Sequence, residues 1–128
     1  MQDFYWFIIL VAANSVILLL FTINVSRLRL KYEISWGDGG NKNLMKAIRL
    51  HSNGTEQVPI YILIILSLVF IGSSNILLAP LVVVFTLSRL IHAHGLLYNS
   101  PISRKVGAAI TYASQGAAVI SLLVSIIT

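Results

Sequence analysis

The sequence predicts an all-α membrane protein: one domain, residues 1–128, folded as a bundle of four transmembrane helices. Three observations carry this. The chain is 57% hydrophobic and only 10% charged, with a mean hydropathy of +0.88, whereas a soluble domain carries about 25% charged residues. Its apolar residues come in long blocks rather than on one helical stripe, so the solvent is lipid. At ~20 apolar residues per crossing, this length accommodates four spans.

The first span is predicted over residues 4–25. Tyr5 and Trp6 stand where an interfacial aromatic belt is expected. No basic residue precedes it and no small-residue cleavage site closes it, so it reads as a span rather than a signal peptide. Arg27, Arg29 and Lys31 continue the helix into the headgroups. Gly37, Gly39 and Gly40 break it. The glycines beside Asp38 do not make a phosphate loop, because no strand precedes them and the spacing is absent.

The second helix is predicted over 42–71, capped by Asp38, Asn41 or Asn43. Its first half is polar on one stripe; from Ile60 to Ile71 it is almost wholly apolar. Pro59 removes a backbone hydrogen bond at the junction and is expected to bend the helix. Gly72–Asn75 is a tight, uncharged turn. The third span follows at 76–97, with Pro80 early and Arg89 deep inside it, and Tyr98–Pro101 makes the next turn. The fourth runs over 102–127. Gly107, Ala108, Ala109, Ala113, Gly116 and Ala117 give it small faces that allow close packing, within the chain or between subunits.

All nine basic residues fall between Arg27 and Arg49 or between Arg89 and Lys105. Four spans put those two stretches on the same side. The positive-inside rule makes that side cytoplasmic in a multi-pass membrane protein. Nucleic acid is excluded as a partner, because much of the charge lies at membrane depth and no aromatic-basic platform accompanies it.

Arg49, Asn53 and Glu56 are spaced four and three residues apart, so they share one helical stripe, with Lys46 a turn earlier. Ionisable residues inside a span are costly and mark function by default. A cation, an amide and an anion in a row suit a zwitterionic ligand that carries carboxylates and an ammonium. The bland alternative is an internal ion-pair network that only holds the bundle. Against it, Glu56 is the sole acid between Gly40 and the C-terminus, facing Arg49, Arg89 and Arg104. The surplus cations call for an anionic guest, since arginine forks bind carboxylates bidentately.

No cysteine is present, which removes thiolate metal sites and a protein-borne sulfur nucleophile. His92 and His94 point in different directions on a helix, and a single deep carboxylate does not make a metal site. His92, one turn after Arg89, suits a polar pocket instead. Four helices of this size leave little internal cavity, so a ligand is expected between subunits.

Arg49-Leu-His-Ser-Asn53-Gly-Thr-Glu56-Gln-Val-Pro59 resembles the signature of the MAPEG family, membrane-associated proteins in eicosanoid and glutathione metabolism. So do Arg89-Leu-Ile-His92-Ala-His-Gly95 and Pro101-Ile-Ser-Arg104. Gly37-Asp-Gly-Gly-Asn41 with Leu44 is similar to the small bacterial branch. The resemblance implies a homotrimer that holds glutathione between subunits near the cytoplasmic face. Arg49, Asn53, Glu56, Arg89 and His92 would grip the peptide, with Arg27 and Arg29 where some members place a further carboxylate contact. Arg104 would polarise the thiol, with Ser103 as a second donor. The implied activity is that of a membrane-bound glutathione transferase or peroxidase acting on an apolar electrophile or a lipid hydroperoxide from the bilayer.

Two other readings stand beside it. Several members carry a tyrosine seven residues after the span-three arginine; here that position is Leu96. A non-catalytic module that binds glutathione or a lipid-like ligand is therefore the alternative. A small four-span exporter ranks last, because its first helix should carry an embedded acid and this one has none.

Overall fold

The computed structural model describes residues 4–128 and builds four helices: α1 (Tyr5–Tyr32), α2 (Lys42–Phe70), α3 (Asn75–Leu97) and α4 (Pro101–Ile127). Each is long and apolar enough to cross a membrane. The expected all-α bundle of four candidate membrane spans is thus observed.

α1 runs seven residues past the apolar stretch, because nothing between Ser26 and Tyr32 breaks a helix. It ends at Glu33, whose backbone is left-handed (φ 54°) and whose N–H returns to the Arg29 carbonyl. The Arg29 guanidinium then organises the loop: Nη1 donates to the carbonyls of Ile34 (3.2 Å), Ser35 (3.4 Å) and Gly37 (2.8 Å). Of the three capping candidates Asn41 takes the role, its side chain accepting from Leu44 N at 3.0 Å. Asp38 instead accepts from Gly40 N inside the loop (2.9 Å), and Asn43 donates to the Tyr32 hydroxyl (3.2 Å). α2 continues through Pro59 without interruption. Ser100 caps α4 and Pro101 occupies its first turn, where the missing N–H costs nothing.

α1 packs mainly on α2 and α3, and α3 lies closest to α4. Only Leu10, Asn14 and Leu28 of α1 are buried, so this helix presents most of its surface to lipid. The main core joins Leu10 with Tyr61, Ile65, Leu68, Leu78 and Phe85. Tyr61 and Phe85 stack with ring centroids 3.7 Å apart, and the Tyr61 hydroxyl donates to the Leu81 carbonyl at 2.8 Å. Polar groups in a bilayer must find partners within the protein. Ser88 and Thr111 join α3 to α4 (2.8 Å), and Asn14 Nδ2 joins α1 to Thr86 of α3 (3.1 Å).

Two glycines set the α3–α4 distance. A Cβ on Gly95 would strike the backbone of Ser103 and Arg104, and one on Gly107 would strike the backbone of His92. The small residues of α4 therefore divide. Gly107 lies in the intrachain contact, while Ala109, Ala113, Gly116 and Ala117 are exposed on the bundle surface.

Candidate functional site

The end of α2 that carries Arg49 faces the corner where α3 turns into α4. Because Gly95 has no side chain, the first turn of α4 settles onto α3 and brings Arg104 alongside Arg49. Two adjoining hollows result. One, of about 250 Å³, is walled by Lys46, Arg49, Leu96, Asn99 and Arg104, among others. The other, of about 310 Å³, is walled by Arg49, Asn53, His92, Leu96, Arg104 and Lys105. Arg49, Leu96 and Arg104 belong to both, so the two form one cleft.

Arg89 lies beneath this cleft. It is only 2% exposed, and its Nη2 donates to Asn53 Oδ1 at 2.6 Å. Asn53, half-buried, thus links a buried cation to the cleft wall. His92 is held at the other wall, with Nδ1 3.3 Å from the Arg104 carbonyl and its backbone against Gly107. Among the described residues no acidic side chain lines either hollow. Glu56 sits one turn beyond Asn53 on an exposed face, and among the described residues no hydrogen bond reaches its carboxylate. Among the described residues no self-neutralised ion-pair network forms. Lys46, Arg49, Arg104 and Lys105 converge without a carboxylate, above a buried guanidinium whose observed partner is a neutral amide.

The remaining candidates lie elsewhere. Ser103 is half-buried, and its Oγ accepts a hydrogen bond from the Ser100 hydroxyl (3.1 Å) in the first turn of α4. Arg27 bonds to Asn24 Oδ1 (2.9 Å) and lines a different hollow. Arg29 is engaged by the loop carbonyls described above. His94 is exposed against the Tyr98 ring. No group of metal-ligating side chains occurs among the described residues.

Lys105 and Asn99 join the cleft without having been singled out by spacing. Each follows a turn or a helix start, where one residue of register redirects the side chain. Their only sequence signal was proximity to Arg104. Leu96, which stands where several MAPEG members carry a tyrosine, lines both hollows, so the position faces the cleft.

The profile described as the MAPEG family matches residues 7–124, nearly the whole chain. This chain belongs to the MAPEG family. Among its relatives is the inner membrane protein YecN of Escherichia coli (strain K12). The two are 31% identical over 99 residues, which cover 77% of this chain and 76% of YecN. YecN of Escherichia coli O6:H1 matches to the same extent. Four apolar helices together with this relationship make the chain an integral, multi-pass inner-membrane MAPEG protein. The polar cleft residues all fall within the matched region.

Proposed function

We propose that this MAPEG protein binds glutathione in the Arg49–Arg104 cleft and ionises its thiol for attack on an apolar electrophile or a lipid hydroperoxide. One observation carries the proposal: a cluster of cations above a nearly inaccessible Arg89, with no carboxylate in the cleft walls. Glutathione supplies two carboxylates and an ammonium. Arg49 suits a carboxylate, Arg89 supplies positive charge from beneath the cleft through the Asn53 amide that it holds, and the exposed Glu56 suits the ammonium.

A free thiol has a pKa of about 8.5, and its thiolate is the nucleophile. A guanidinium beside the sulfur favours the ionised form, each pKa unit being worth about 1.4 kcal/mol. Arg104 is the assigned group, because it is the cleft arginine at the start of α4 and lines both hollows. The thiolate displaces a leaving group from the electrophile. With a hydroperoxide, two glutathiones supply the two electrons and leave as the disulfide. Holding both partners at the membrane boundary contributes proximity.

Ser52, Thr55 and Glu56 are exposed on α2 within the span. Lipid does not solvate such groups, which favours cover by a second copy of the chain. The homotrimer is the assembly we propose, with the cleft completed at its subunit boundary.

Calorimetry with glutathione on the detergent-purified protein tests the grip. Arg49→Ala and Glu56→Gln should each weaken binding. Arg104→Ala should leave binding largely intact but abolish the thiolate absorbance and lower turnover ~10²–10³-fold, as loss of one charge-stabilising group does. An unchanged thiolate signal removes Arg104 from this role.

Leu96 favours a second reading, a binding module without chemistry, since it puts an alkyl group where a hydroxyl could face the sulfur. Glutathione binding without turnover of a generic electrophile would select it.

A further inference from the structure

A second hollow lies at the same end of the bundle, on the other side of Lys46. Its volume is about 510 Å³, and it opens between the end of α1, the start of α2 and the end of α3. Its outer rim carries Arg27, Lys31 and Lys46, with Asn43 and Tyr32 between them. Its inner wall is apolar, formed by Leu20, Phe21, Leu28 and Leu97. No acidic side chain lines it. Arg27 has a neutral partner in Asn24 Oδ1, and Lys31 lies 5.4 Å from the Tyr32 ring centroid. Among the described residues the charge on this rim therefore has no acidic partner in the groove lining, and unlike Arg29, whose donors are taken up by three loop carbonyls, Arg27 and Lys31 face the hollow.

We propose that this groove holds one anionic phospholipid from the leaflet at the basic end, which the charge rule makes the cytoplasmic leaflet. The rim binds the phosphate, and an acyl chain follows the apolar face of α1. The position of the groove argues for lipid. Its cations start two residues beyond the apolar run that ends at Val25, which places them at headgroup depth. Beside Leu20 of the groove wall, Leu19 and Ile23 of α1 are 58% and 53% exposed, so apolar surface extends from the groove toward the bilayer. Basic hollows between helices on the cytoplasmic side are the usual receptors for anionic headgroups. A soluble anion could use the rim but gains nothing from the apolar surface. The groove shares Lys46 with the neighbouring cleft, and the inference uses none of the thiol chemistry proposed there.

Native mass spectrometry of the detergent-purified full chain tests it, with phosphatidylglycerol and phosphatidylcholine of matched acyl chains added in parallel. The expected result is retention of one phosphatidylglycerol in preference to phosphatidylcholine. The double variant Arg27→Gln with Lys31→Gln should reduce that retention about thirtyfold, at roughly 1 kcal/mol per basic residue near the surface. Lys42→Gln removes an exposed charge at the same end that does not line the groove, and should change nothing. Glycerophosphoglycerol, the same headgroup without acyl chains, should not displace the lipid. Equal retention of the two lipids overturns the proposal. So does an equal loss in Lys42→Gln, which would mean unspecific attraction. Displacement by glycerophosphoglycerol or by glutathione overturns it as well, and assigns the groove to a soluble anion.

Discussion

Arg89→Met is expected to leave the bundle at least as stable as the parent while lowering glutathione affinity by two orders of magnitude. Removing one member of a buried ion pair ordinarily costs about 3–5 kcal/mol, because the other charge is stranded. Here the partner is the neutral Asn53 oxygen, at the edge of the cleft where water can replace the guanidinium. Methionine fills a similar volume, and the desolvation cost of the cation, several kcal/mol for a buried ion, disappears. Without Arg89 the cleft loses the charge beneath it and the hold on Asn53, and losing one side of a desolvated charge interaction costs about 2–5 kcal/mol, which centres on a loss of a few hundredfold. Thermal unfolding in detergent and calorimetry with glutathione read the two halves separately. A large drop in melting temperature with unchanged affinity would make Arg89 a scaffold residue and remove the main support for the cleft as an anion site.

Gly95→Ala should be among the most damaging conservative changes in the chain. The added Cβ would meet the Arg104 backbone nitrogen and lie 2.6 Å from its Cα and 2.7 Å from the Ser103 carbonyl carbon. Backbone atoms cannot rotate away, so α3 and α4 must separate. Overpacking of this kind costs about 1–3 kcal/mol or more. The separation happens where Arg104 enters the cleft, so any protein that still folds should show a weakened thiolate signal. Gly107→Ala should behave similarly against the His92 backbone, with a Cβ 2.6 Å from its Cα. Gly116→Ala is the control. Nothing lies within 4 Å of its new Cβ, and alanine favours the helix by up to about 1 kcal/mol, so stability should hold or rise. Comparable melting temperatures for Gly95→Ala and Gly116→Ala would show that the α3–α4 contact is looser than described.

Much of this architecture was legible before folding, and particular residues show why. The long apolar blocks separated by Gly37–Gly40, Gly72 and Pro101 delimit helices through local chemistry alone. The four- and three-residue steps from Arg49 to Glu56 put those residues on one stripe by helical period. The cleft was only partly legible. Arg49 and Asn53 do face it, yet Glu56 on the same stripe stands outside its walls. A helix stripe is wide enough to straddle a wall and an outer face, and spacing does not say where the wall ends.

The tertiary structure separated chemically equal residues. Arg27 and Arg29 are two apart on one helix, yet one opens onto a hollow and the other locks a loop, because loop closure brings three carbonyls to Arg29 alone. Lys105 became a cleft residue and Ser103 a capping partner through the angle at which α4 leaves Ser100. Solvent preference, helix length and stripe are properties of short stretches of chain, so composition and spacing sufficed for them. Which charges meet, and which remain without a counter-ion, depends on how closely two backbones approach; at Gly95 and Gly107 that distance exists only once α3 and α4 have packed.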